Sequence, residues 1–319
     1  MKKKLLVILM TVIFTISLVG CGNNVEQSAQ DTTDKVAENT TEDNTANEIP
    51  DTTIDDESEN TESDIKEETQ VVIDNSDILV EYRGITEFSS DSWIVNLYIE
   101  NRSGKELYVD ADDVLINNYN VRLANNNESI PAGSKFLAQP NFKYIIDTNE
   151  LAEYGIEKMT DINFTLKVKE EWSGDSIYEE NVFSSLSKTV PGSTGETVIS
   201  NGQVLIDNED VTVSYCGISK FSDSSYIINL YMENKSDTEK YIDTDDILIN
   251  GYSMRIANTN YAVPAHCKFL ASPMFKFIID VEDLETYGIS NIETIDFTLN
   301  IKNEWSGDSL YSTPVNLTF

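Results

Sequence analysis

A gapless internal duplication constrains this chain more than any other feature. Gln70-Val71-Val72-Ile73-Asp74-Asn75 recurs as Gln203-Val204-Leu205-Ile206-Asp207-Asn208. The copies stay in step at a constant offset of 133 residues as far as Tyr178 and Tyr311, with about 61 identities in about 109 positions. Self-similarity at that level makes each copy a structural unit with its own pattern of buried and exposed residues. The longest shared block, Glu171-Trp172-Ser173-Gly174-Asp175-Ser176, returns as Glu304-Trp305-Ser306-Gly307-Asp308-Ser309. Copies this similar share residues by recent descent, so identity between them does not by itself mark a functional site. The boundaries that follow are 70–186 and 203–319. Between them, 187–202 holds Pro191, Gly192 and Gly195 and reads as a linker that leaves the orientation of the units variable.

Within each copy the signals are those of strands. From Trp93 to Glu100 the chain alternates, with Trp93, Val95, Leu97 and Ile99 on one face and Asn96, Tyr98 and Glu100 on the other. Ile78 to Ile85 behaves alike, as does Ile162 to Val168 through Ile162, Phe164, Leu166 and Val168. Asn101-Arg102-Ser103-Gly104 and Asn117-Asn118 have turn chemistry, and in copy two the second of these becomes Asn250-Gly251, a strong hairpin signal. One short helix per copy is expected, capped by Asp147 with Glu150 completing a capping box and stopped by Gly155. Its counterpart uses Asp280, Asp283 and Gly288. Seven or eight short strands separated by turns predict an all-β fold of two tandem immunoglobulin-like antiparallel sandwiches, each with one short helix. The strand end Leu97-Tyr98-Ile99-Glu100-Asn101 and the turn Ile130-Pro131-Ala132-Gly133 resemble those of Ig-like domains in Gram-positive surface lipoproteins. That resemblance implies a fold and a cellular place, not an activity.

The N-terminus supplies an address. Lys2, Lys3 and Lys4 precede an apolar run from Leu5 to Gly20, shorter than the ~20 apolar residues of a membrane span. Its end, Leu18-Val19-Gly20-Cys21, resembles the lipobox of bacterial lipoproteins. The resemblance implies cleavage of a signal peptide 1–20, a diacylglycerol on the Cys21 thiol, and display on the extracellular face of the cell membrane. Residues 21–69 then form an acidic linker. From Gly22 to Gln70 sixteen acidic side chains face two lysines, without a single aromatic, so the segment cannot bury enough apolar area to offset its ordering entropy and is expected to stay disordered.

Fifty-six acidic against 22 basic side chains give a formal charge of −34. Such a surface repels nucleic-acid phosphate and anionic lipid headgroups, which leaves acyl chains as the membrane contact and favours a soluble monomer. No nucleophile elbow or phosphate-cradling glycine loop is present, and the single histidine, His266, falls in a predicted solvent-facing loop. A non-catalytic protein without cofactor is the expectation, its work being binding an envelope protein or glycan, or spacing. The alternatives are a sugar or small-ligand binder and an envelope hydrolase with paired carboxylates.

Three sets of residues are candidate sites. The Trp-Ser-Gly-Asp loops place an aromatic beside a hydrogen-bonding acid (Trp172 with Asp175, Trp305 with Asp308), as sugar binders do, although a tryptophan at a strand end more often closes the core. Asp110, Asp112 and Asp113, repeated as Asp243, Asp245 and Asp246, suit a hard cation such as Ca²⁺, but an acidic strand edge explains them as well. Cys216 and Cys267 occur only in copy two, opposite the polar Arg83 and Ser134, and are expected at exposed positions. An exported chain can hold a Cys216–Cys267 disulfide if the Cα atoms approach within about 7 Å, and two free thiols are the preferred reading. A zinc site from Cys216, His266 and Cys267 lacks a fourth ligand.

Overall fold

The computed structural model describes residues 69–124, 128–257 and 259–319. The expected signal peptide, Cys21 and all but the last residue of the acidic segment 21–69 lie outside the described residues. No helix among the described residues is long and apolar enough to cross a membrane.

The fold is all-β. The first repeat runs β1 (Gln70–Asp74), β2 (Ile78–Ser89), β3 (Ser92–Asn101), β4 (Leu107–Ile116), β5 (Tyr119–Asn120), β6 (Glu128–Ile130) and β7 (Lys135–Leu137). Then come α1 (Ala138–Asn141), β8 (Ile145–Asp147), α2 (Thr148–Glu153), β9 (Lys158–Lys169) and β10 (Ser176–Thr189). One sheet has the order β1-β2-β3-β7, with β8 also on β3; the other places β4 beside β9 and β9 beside β10, with β5 and β6 on β4. The two sheets face each other as an antiparallel, immunoglobulin-like sandwich. Val80, Tyr82, Leu97 and Ile99 from one meet Val109, Phe164, Leu166 and Val168 from the other, all buried. The Tyr82 and Phe164 rings pack edge to face at 6.0 Å across the layer. Period-two alternation is what drives this: only the inward residue of each pair leaves water.

The second repeat has the same plan after a 3₁₀ turn at Val198–Asn201. Its strands are β11 (Gln203–Asp207), β12 (Val211–Ser222), β13 (Ser225–Asn234), β14 (Lys240–Ile249), β15 (Tyr252–Ser253), β16 (Tyr261–Val263), β17 (Lys268–Leu270), β18 (Ile278–Asp280), β19 (Thr294–Lys302) and β20 (Ser309–Thr318). Its helices are α3 (Ala271–Met274) and α4 (Val281–Thr286).

Local chemistry fixes the joints. Asn250 and Gly251 take φ of 50° and 79° and close a two-residue hairpin between β14 and β15. Asn101 is 1% exposed, and its amide donates to the carbonyls of Lys105 (2.7 Å) and Ile130 (2.9 Å), pinning the β3–β4 turn to the loop after β6. Asp147 caps α2 by accepting from the Asn149 amide at 2.8 Å, and Gly155 ends it with φ of 71°. The single-turn helices α1 and α3 had no capping signal. Their N-caps are Leu137 and Leu270, without side-chain hydrogen bonds, and each ends on a left-handed phenylalanine, Phe142 or Phe275.

The repeats meet along one seam. β5 pairs with β17 in parallel, Tyr119 opposite Lys268, so that a sheet of ten strands runs through both repeats, eight in the order β10-β9-β4-β5-β17-β13-β12-β11, with β6 also on β4 and β18 also on β13. Tyr231 and Leu270 of the second repeat belong to the first core, and Leu115 of the first belongs to the second. The segment expected to be a free linker is partly built in. Lys188 and Thr189 still pair with Met159 and Lys158, Val190 is buried, and Ile199 packs on the first core. Apolar contact thus lies on both sides of Pro191.

Candidate functional site

The two Trp-Ser-Gly-Asp loops join β9 to β10 and β19 to β20. Each is a tight turn, the Gly174 amide donating to the Glu171 carbonyl at 3.0 Å and the Gly307 amide to that of Glu304 at 3.1 Å. The expectation that tryptophan closes the core fails here. Trp172 is 59% exposed and Trp305 is 61% exposed, and Asp175 and Asp308 are exposed beside them. The turn lies beyond the last core pair of its hairpin, so the indole can only lie on the sandwich's outside. Each indole makes a T-shaped contact with a tyrosine of the neighbouring strand, Tyr108 at 6.1 Å and Tyr241 at 6.2 Å. Interplanar angles of 89° and 88° show that the indole is set against its tyrosine in the same way in both repeats.

The aspartate clusters do not converge. Asp110 and Asp112 share the outer face of β4, and lysines on the adjacent strand take their carboxylates. Asp110 pairs with Lys169 at 3.2 Å, Asp112 with Lys167 at 3.0 Å, and Asp243 with Lys302 at 2.6 Å. Asp245 accepts from Asn300 at 2.8 Å. Asp113 and Asp246 turn away at left-handed positions, φ 51° and 55°. Among the described residues no group of three or more such side chains is placed to hold a metal ion. The strand-edge reading fits the register: β9 pairs along one side of β4, while on the other β6 covers only Leu107, Tyr108 and Val109 and β5 only Leu115 and Ile116, so no strand pairs with the aspartate stretch on that side.

Cys216 and Cys267 are both free, so the bridge does not form. Neither is exposed. Cys216 is half-buried, and Cys267 is fully buried because β17 docks on β5 and covers it, which does not happen to Ser134 in the first repeat. Burial pushes the thiols up to about 11 and about 12, so at neutral pH both are protonated and poor nucleophiles. His266 faces solvent and pairs with Asp237 at 2.9 Å, far from completing a zinc set.

Sequence reasoning missed a cavity of about 640 Å³ in the first repeat, walled by Asp91, Asp113, Arg122, Asp147 and Glu150, with Tyr261 of the second repeat contributing. Glu150, expected to complete the capping box, instead turns inward and is 3% exposed. It accepts from the Arg122 amide at 2.6 Å and from the Arg122 guanidinium at 3.3 Å. Burial raises its carboxyl to about 8 despite that arginine. Burial and the neighbouring Asp112 also raise Asp113. The one available sequence signal was Glu150 itself, three residues past a cap, and the capping box explained it away.

No family model matches this chain, and no curated protein matches it either. Among solved structures, the Salmonella enterica SafA pilin in complex with the SafB chaperone aligns at 11% identity over 73% of this chain and 96% of that one. The TM-score of that alignment is 0.18.

Proposed function

We propose that the chain is a non-catalytic binding protein of the bacterial cell envelope, anchored outside the membrane by lipid on Cys21, whose contact elements are the Trp172 and Trp305 loops. The lipobox-like Leu18-Val19-Gly20-Cys21 supports the anchor. One observation carries the binding role: two indoles in corresponding loops, each about three-fifths exposed and each in T-shaped contact with a tyrosine. Keeping a tryptophan in water forgoes burial that would stabilise the fold by roughly 1.5–3 kcal/mol or more, a cost that binding would repay. Indole planes next to Asp175 and Asp308 suit a ligand with an apolar face and hydroxyl edges, which is a sugar ring; a glycan of the envelope is the ligand class.

The experiment is retention of the mature chain on purified cell-wall glycan, with Cys21→Ala removing the acyl anchor so that only protein contacts are read. Trp172→Ala and Trp305→Ala should each weaken retention several-fold and together abolish it, with circular dichroism unchanged. Full retention of the double variant would overturn the role of the loops. Metabolic labelling with a fatty-acid probe that persists in Cys21→Ala would overturn the anchor.

A further inference from the structure

The seam between the repeats joins two different faces, and duplication has given each repeat both of them. The first repeat contributes a plug made of Tyr119, Arg122 and Tyr154. The second contributes a socket made of Lys268, Leu270 and Phe275. The Lys268 amide donates to the Asn118 carbonyl at 2.8 Å, and the Leu270 amide donates to the Tyr154 hydroxyl at 3.4 Å. The Arg122 guanidinium lies over the Phe275 ring at 3.5 Å, and the Lys268 ammonium lies 5.1 Å from the centre of the Tyr119 ring.

At the constant offset, the second repeat has a plug of the same residues, Tyr252, Arg255 and Tyr287, and the first has a socket of the same residues, Lys135, Leu137 and Phe142. The spare plug is already assembled. Tyr252 and Tyr287 stand 5.2 Å apart at 37°, as Tyr119 and Tyr154 stand 4.7 Å apart at 41°. What differs is cover. Tyr154 is 2% exposed and Tyr287 45%; Leu270 is 0% exposed and Leu137 44%.

From this we infer that a second copy of the chain docks head to tail, its Tyr252–Tyr287 plug seated in the Leu137–Phe142 socket of its neighbour. The occupant follows from continuity with a formed interface: each spare face is complementary to the other by the same contacts that hold the seam. Because the faces are unlike, the contact is head to tail and does not close at two. Two features make it weaker than the seam. Ser253 and Glu128 stand where the seam has Asn120 and Tyr261, whose hydroxyl donates to Asn120 at 3.2 Å. The contact also lacks a linker, which holds tethered partners at an effective concentration on the order of 1 mM, and it works against the −34 charge.

Sedimentation equilibrium of the full mature chain tests it, with Cys21→Ser so that no acyl group drives association. The range runs to about 1 mM protein in about 0.5 M salt, where charge repulsion is screened. The average mass should rise past that of a dimer as concentration increases. Leu137→Glu and Tyr287→Glu, both at exposed positions and checked for folding by circular dichroism, should each weaken association at least tenfold. Mixed, these two variants should form a one-to-one dimer and stop, since one retains only a plug and the other only a socket. A monomer throughout the range, variants that associate like the parent, or a mixture that stays monomeric while the parent associates would each overturn the inference.

Discussion

The Tyr154 hydroxyl sits between the two repeats, donating to the Asn120 carbonyl at 2.6 Å and accepting from the Leu270 amide at 3.4 Å. It is fully enclosed, and burial holds its phenol well above the ordinary range, so it serves as a neutral donor and acceptor at any working pH. Tyr287, its counterpart, has the same residue type and no such duty. The pair separates what the fold of a repeat needs from what the seam needs.

Tyr154→Phe should therefore destabilise the described unit while Tyr287→Phe should not. Removing the hydroxyl strands a buried carbonyl and leaves a backbone amide short of its partner, which costs about 1–3 kcal/mol. The exposed Tyr287 position should stay within about 0.5 kcal/mol. Urea unfolding of both variants gives the comparison, and equal midpoints would mean that the seam contributes little to stability.

The helix caps offer a second contrast. Asp147 accepts from the Asn149 amide, whereas Asp280, at the matching cap, makes no side-chain bond. Asp147→Ala should cost about 1 kcal/mol and Asp280→Ala less than half of that. Measuring at pH 5 keeps Glu150 protonated, so relief of the Asp147–Glu150 repulsion does not mask the lost cap. A larger loss from Asp280→Ala would contradict the assignment.

What was legible in the sequence was whatever depends on near neighbours. Alternation at Trp93 to Ile99 and at Ile162 to Val168 gave strands and their inner faces, and Asn250-Gly251 gave its hairpin, because the pleat and the turn are set by consecutive residues. The exposed indoles, the buried Cys267 and the inward Glu150 were not legible. Each depends on what a distant segment covers or leaves uncovered. Comparing a residue with its copy misled for the same reason: Ser134 and Cys267 occupy one position in the repeat but two environments, because only β17 has β5 against it. The aspartate triplets misled in the other direction, since spacing along the chain could not report that Lys167, Lys169 and Lys302 stand opposite them.

Glu150 makes the stability of the described unit depend on pH in an unusual sense. Its carboxyl titrates near 8 in the folded chain against an ordinary 4.5, chiefly because burial penalises the charge; Arg122 lowers it and Asp147 raises it. A raised carboxyl means that the folded chain holds the proton more tightly than the unfolded one. Its contribution is therefore full below about pH 4.5, falls as pH rises toward 8, and is flat above that. At 1.36 kcal/mol per unit the whole loss is at most about 5 kcal/mol. Glu150→Gln cannot ionise but keeps an oxygen for the Arg122 amide, so it should remove most of that slope and exceed the parent in stability at pH 8. Asp283→Asn, at the matching and less enclosed position, removes the same unit of charge and controls for general repulsion in so acidic a protein. Urea midpoints at pH 5, 6.5, 8 and 9 decide the matter: if Glu150→Gln declines with pH in parallel with the parent, the cavity carboxyl is ionised throughout and Arg122 outweighs its burial.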